Sequence, residues 1–327
     1  MFFSTAILPL ALIQIVACHS GHQYDEQKVL GDPPRWERIN TLFLEFEDPT
    51  LAALKLEAQQ SIVNKNKTLV PFIYEELPLG SIKPLGWILD QLTLEANGLP
   101  GHLFDFYKFV HDSPWIGGGS EYSQLNEAAP YWYNGIVPLA YLLGDDRIIA
   151  QANAFLHYVL DNQAPDGWLG PETTNQTRGV WARCVLLQGM MNHAIADPSQ
   201  TDRIVTAMLN YASLAYKMLK NNYQGYLEGP GDNFDHYGFG ILRAHDFSTS
   251  LQWLYENHPR GQKKMLWEIM NLMWSGAEVA KKDWTTFFTE DGFNKGASHN
   301  EAPFEHGVNL AEGLSSSSKA LSTANFH

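Results

Sequence analysis

Two cysteines in 327 residues, at positions 18 and 184, are too few for a disulfide scaffold. If Cys18 is removed with a leader, one thiol remains and stability has to come from packing. Basic residues are scarce as well. Lys plus Arg number 22 against 36 Asp plus Glu, a formal charge of −14; this excludes a phosphate-neutralising surface, and with it nucleic acid as a partner. Charged residues of both signs make up only 18%. Long hydrophobic runs are missing too. The apolar stretch from Ala6 to Ala17 is too short to span a bilayer comfortably, but it suits the core of a signal peptide, and residues 1–20 carry no charged side chain. Residues 1–20 are therefore expected to be a cleaved secretion signal, leaving a secreted, extracellular chain with no membrane contact. Two acceptor sequons, at Asn66 and Asn175, agree with that expectation.

What the chain does contain is apolar and aromatic. Apolar residues reach 45% and aromatic residues 13%, enough for a sizeable core and for rings that line a site able to stack on sugar faces. Residues 21–70 read as an N-terminal arm with a Pro33-Pro34 break and a helical-looking Leu51 to Val63. Leu85 to Glu95, preceded by Pro84, has leucines and Ile88 at helical spacing. Asn97 to Ser123 reads as a long aromatic loop, rich in glycine and without a nucleotide-binding fingerprint.

From Asn126 onward the pattern is helix after helix: Glu127 to Leu143, Arg147 to Leu160, Val180 to Ile195, Asp202 to Leu219 and Met265 to Ala280. The segments also repeat. Asp146-Arg147-Ile148 recurs 56 residues on as Asp202-Arg203-Ile204, and Gly167-Trp168-Leu169 recurs 58 residues on as Gly225-Tyr226-Leu227. A two-helix period of this size predicts stacked hairpins, in an open solenoid or a closed α/α toroid. Bulky rings and acidic groups at one end of each hairpin favour the toroid, with turns converging on a pocket. The fold class expected is all-α.

The run Pro78 to Trp87 (PLGSIKPLGW), followed by Gly101-His102-Leu103, Ser113-Pro114-Trp115, Gly118 to Tyr122, Asn126-Glu127 and Pro130-Tyr131-Trp132, resembles the start of the catalytic domain of the glycoside hydrolase family 127-like proteins. The likeness continues through Asp166 to Pro171, Trp181-Ala182-Arg183, Leu251 to Tyr255 and His306-Gly307-Val308-Asn309. These are β-L-arabinofuranosidase-type enzymes. The resemblance implies the N-terminal part of a six-hairpin α/α barrel over residues 71–314, retaining hydrolysis of arabinofuranosyl-containing plant glycans, and an oligosaccharide or plant cell-wall glycan as the partner. It also implies a cysteine nucleophile within a zinc-bound cysteine and glutamate cluster, C-terminal to His306. No cysteine follows that point, so the expectation is a partial toroid, incomplete in this chain, with the nucleophile and acid/base absent, no zinc in this chain, and a disordered tail over 315–327. The rival readings are a catalytically inactive, carbohydrate-binding remnant and a polysaccharide lyase on the same toroid.

The candidate substrate-binding residues follow from chemistry. Glycoside cleavage uses carboxyl groups placed across a sugar, and Glu121 and Glu127 stand among Trp115, Tyr122 and Trp132. Glu127 also reads as a helix N-terminal charge. Trp168, in the turn after Asp166, is a candidate sugar platform. Arg243, His245 and Asp246 open a helix together, an expensive arrangement unless they bond to each other or to a ligand. His306 takes, by the resemblance, the place of an active-site histidine contacting sugar. Asp232, Asp235 and His236 are read as turn chemistry, not metal ligands, and Cys184 as a buried, inert thiol.

Overall fold

The computed structural model describes residue 69, residues 77–282, residue 284 and residues 306–313. The expected signal at 1–20, most of the arm at 21–70 and the tail at 315–327 lie outside these residues. Among the described residues the chain is helical, with no strand. The helices are α1 (Trp87–Asn97), α2 (Leu99–Phe106), α3 (Lys108–His111), α4 (Ala128–Leu143), α5 (Asp146–Asp161), α6 (Trp181–Ala196), α7 (Thr201–Lys220), α8 (Phe239–Leu242), α9 (Ala244–Asn257) and α10 (Lys263–Val279). A further helical stretch runs over 307–313.

Local signals account for the boundaries. At the α4–α5 junction Gly144 adopts φ 69°, a left-handed end that a side chain would disfavour, and Asp145 then caps α5 by accepting from the backbone N–H groups of Arg147 and Ile148 at 3.0 and 3.1 Å. The aromatic segment expected to be one long loop is a correction. It contains α2, α3 and a single 3-10 turn at Pro114–Ile116, begun by Ser113, whose hydroxyl accepts from the Trp115 N–H. These pieces are too short to show a helical period, and Pro100 and Gly101 look like breakers although Pro100 sits in the first turn of α2, where it is tolerated.

The hairpins stack in two layers. Helices α4, α6 and α9 pack side by side in one layer, while α5, α7 and α10 cover them as the other. The burial pattern follows this arrangement: α6 is buried around most of its circumference, whereas α5 and α7 bury one face.

The sequence repeat is a packing repeat. Trp168 lies edge-on to Tyr211 of α7, with ring centroids 5.9 Å apart, and its counterpart Tyr226 donates its hydroxyl to the Met273 carbonyl of α10 at 2.9 Å. Each turn ring thus seats under the next outer helix. Gly167 (φ 99°) allows the first of these turns, because a Cβ there would lie 2.5 Å from the Asn210 carbonyl. The arginines repeat as well. Arg147 donates to the Ala96 and Gly101 carbonyls at 2.7 Å, Arg203 pairs with Asp161, and Arg260 reaches Asp202 at 2.6 Å. Each unit is tied in this way to the one before it.

Candidate functional site

The polar groups gather where α4, α6 and α9 begin. Glu127 immediately precedes α4 and is almost fully buried. Its Oε1 accepts from the Tyr122 hydroxyl, and its Oε2 accepts from Trp181 Nε1 at 2.5 Å. Trp181 is the first residue of α6, and its ring carries the Arg243 guanidinium 5.1 Å from its centroid. Arg243 immediately precedes α9, lies 4.7 Å from the Phe239 ring and donates to the Tyr131 hydroxyl and to Asn309 Oδ1, both at 2.7 Å. A carboxylate, an indole and a guanidinium are therefore linked in series.

The first turn of α9 adds His245 and Asp246, both buried, with His245 Nε2 2.9 Å from Asp246 Oδ1. Glu312, from the 307–313 helix, places Oε2 3.7 Å from both His245 Nε2 and Arg243 Nε. His306 stands at the start of that helix, edge-on to Phe239 at 6.3 Å. The helix is held in place by Trp284, whose Nε1 donates to the Leu242 carbonyl at 2.7 Å and whose ring packs against Gly313.

Burial and neighbouring charge shape the titrations. Glu121 is pushed up to about 7, chiefly by burial, with the Glu127 and Glu172 carboxylates adding to the effect. One of its oxygens accepts from the Tyr122 N–H at 2.7 Å, and the other is buried without a hydrogen bond. Burial also raises Asp235 to about 6, against the opposing pull of the Gly240 and Phe239 N–H groups, which it caps at 2.7 and 3.0 Å. Burial pushes Asp246 up, but the His245 charge and hydrogen bond outweigh it, and its carboxyl ends below the usual range. His306 is lowered, first by burial and then by the Arg243 charge. The Arg243 guanidinium is held above its ordinary value: burial works against the charge, but the surrounding Tyr131, Glu312, Glu127 and Asp246 outweigh that effect.

Of the eight residues picked from the sequence, six fall in this neighbourhood: Glu121, Glu127, Arg243, His245, Asp246 and His306. The two tryptophans need correction. Trp132 is a core ring, stacked on Phe104 at 5.1 Å and edge-on to Phe155 at 5.7 Å. Trp168 is also buried, clamped against Arg183 4.4 Å from its ring centroid, so neither presents a face to a sugar. The turn residues behave as turn residues: Asp232 accepts from the Gly229 N–H at 2.9 Å, and His236 Nδ1 pairs with Glu228 at 2.7 Å. Sequence reasoning missed Tyr131, Trp181, Asn309 and Glu312 as site groups. His306, Asn309 and Glu312 recur every three residues and so lie along one helical face, the signal that would have found the last two.

The zinc cluster that the resemblance implies does not fit here. Cys184 is the free cysteine among the described residues; it is fully buried within α6, and burial pushes its thiol well above the ordinary range. The ligand-type side chains that do converge are His245, Asp246 and Glu312, whose ligand atoms all lie within 4.8 Å of one another. No described helix is long and apolar enough to cross a membrane. No family model matches the chain, and no curated protein or solved structure was found to match it.

Proposed function

We propose that this chain is a carbohydrate-active protein of the six-hairpin α/α toroid type, and that the cluster at the starts of α4, α6 and α9 is its saccharide site. The observation that carries the reading is the convergence of Glu127, Trp181, Arg243, His245, Asp246 and His306 from separate stretches of chain onto one ring-lined polar patch. Sugars are recognised by this mixture of flat apolar faces and rigid charged hydrogen-bonding groups. The inner helices α4, α6 and α9 begin beside one another, and this supports a toroid reading in which the preceding loops line a common pocket. The substrate class that the motif resemblance favours is an arabinofuranosyl-containing plant glycan met outside the cell, with retaining hydrolysis as the reaction.

Within that reading the residues have distinct roles. Arg243 and His306 bind sugar hydroxyls, Glu127 fixes the Trp181 ring, and Glu121 holds a proton near neutral pH and is the group suited to general acid work. A second reading, binding without turnover, is favoured by two observations. Both Glu127 oxygens are already occupied by donors, and the Cys184 thiol is sealed in the core. Incubation with an aryl β-L-arabinofuranoside separates the two: release of the aglycone supports the hydrolase, whereas thermal stabilisation by the sugar without release supports the binding protein. An unsaturated uronate product from a polyuronide would instead point to a lyase.

A further inference from the structure

At the mouth of α9 three carboxylates, Glu127 and Asp246 buried and Glu312 partly exposed, surround the one guanidinium of Arg243, with His245 as the other group able to carry positive charge. Such a concentration of carboxylates is costly unless a proton or another cation offsets it. The geometry favours a cation. His245 Nε2 stands 2.9 Å from Asp246 Oδ1 and 3.7 Å from Glu312 Oε2, and the three ligand atoms fit within 4.8 Å. Two atoms bound to one ion at about 2.0–2.6 Å each cannot stand more than about 4–5 Å apart, and this trio meets that limit. We propose that His245, Asp246 and Glu312 form a divalent-metal site, distinct from any thiolate cluster.

The donor set selects the ion. An imidazole nitrogen beside two carboxylates suits a zinc- or manganese-class ion better than calcium or magnesium, which prefer all-oxygen shells. His245 and Asp246 are preset on one turn of α9, and the Asp246 backbone carbonyl accepts from Gln188 of α6 at 3.4 Å. Glu312 arrives on the segment that Trp284 pins to the α8 carbonyl of Leu242. Arg243 does not fill the ion's place, because its guanidinium is engaged by Tyr131 and Asn309 and its Nε stays 3.7 Å from Glu312. Three protein ligands leave at least one position open to water or to a sugar hydroxyl.

The inference does not depend on the saccharide reading, and its test contains no sugar. The full chain is stripped with a chelator, dialysed and titrated with Zn2+ in competition with a chromogenic chelator at neutral pH. One equivalent should bind. Glu312→Gln and His245→Ala should each weaken it at least about tenfold with unchanged far-UV circular dichroism, since losses of about 10–100-fold follow even from removing outer-shell partners. His236→Gln, which breaks the separate His236–Glu228 pair, should leave binding intact. Absence of saturable binding overturns the proposal, as does binding that survives both substitutions. If either substitution disturbs the fold, the native chain loaded with Co2+ decides. A visible spectrum free of thiolate charge-transfer bands supports the nitrogen and oxygen donors, and a thiolate band overturns them.

Discussion

Two arginines stand at the beginnings of neighbouring inner helices, each laid on tryptophan, and their surroundings have opposite character. Arg183, in the first turn of α6, lies between Trp115 and Trp168, 5.0 and 4.4 Å from the ring centroids, and pairs with Glu172 at 2.7 Å with both side chains almost fully buried. Glu172 is further satisfied by Asn126 at 2.9 Å and Trp168 at 3.2 Å. One positive charge meets one negative charge in a closed shell. Arg243, one inner helix further on, faces Glu127, Asp246 and Glu312, and Glu312 remains 25% exposed. The first cluster is balanced and sealed, as befits a structural joint; the second is richer in carboxylates and, although mostly buried, reaches solvent through Glu312, as the proposed ligand site requires. On the proposed reading the same residue pairing on the same rows of helices serves two purposes, and charge balance and access distinguish them.

The largest effect that would sharpen this contrast comes from the sealed side. Arg183→Met, measured by urea unfolding, is expected to cost about 3–5 kcal/mol, because it strands the Glu172 carboxylate in the core, and Arg183→Met with Glu172→Gln should recover much of the loss. Arg243→Met should cost less, about 1–3 kcal/mol, and its cost should shrink in acid as the neighbouring carboxyls take up protons. Equal, pH-independent costs at the two positions would break the distinction.

A smaller effect concerns pH. Glu121 sits at about 7 when folded and near the ordinary carboxylate value when unfolded, so the folded state holds the extra proton between these limits. Its contribution to stability is therefore lost as pH rises from about 4.5 to about 7 and is constant beyond. Glu121→Gln should remove a decline on the order of 1–2 kcal/mol across that window, allowing for its partial exposure. His193, lowered to about 4 by burial between the Tyr133 and Tyr141 hydroxyls, works in the opposite sense, adding stability as pH rises from about 4 to about 6.5, and it is unaffected by the substitution. An unchanged pH profile in Glu121→Gln would contradict the assignment. The smallest effect is at the surface, where Arg203→Ala removes the exposed Asp161 pair and should change stability by under about 0.5 kcal/mol.

Much of the fold was legible in the sequence because amphipathic periods survive averaging. The helices α4 to α7 and α10 fall within a few residues of their expected bounds, and the recurring Asp-Arg-Ile and Gly-aromatic-Leu strings mark real packing equivalents. The short helices α2 and α3 were not legible, since eight and four residues cannot display a period. The candidate site was legible in its charged members, Glu312 excepted, and not in its rings. Trp132, Trp168 and Trp181 look alike in sequence and all are buried, yet Trp132 packs among rings, Trp168 joins Arg183 to Glu172, and Trp181 joins Arg243 to Glu127. Only tertiary placement decides between those fates. Glu312 escaped for a related reason: the three-residue spacing from His306 and Asn309 puts it on their helical face, but its partners lie nearly seventy residues upstream on α9, which no local pattern shows.

The central claim is most directly tested by the thermal midpoint of the full chain with and without a soluble arabinofuranosyl oligosaccharide, read in parallel for the native protein and for His306→Ala. The account predicts a saturable rise in the native midpoint that His306→Ala largely abolishes while its sugar-free midpoint stays close to native. No rise in the native chain, or an equal rise in both proteins, would contradict it.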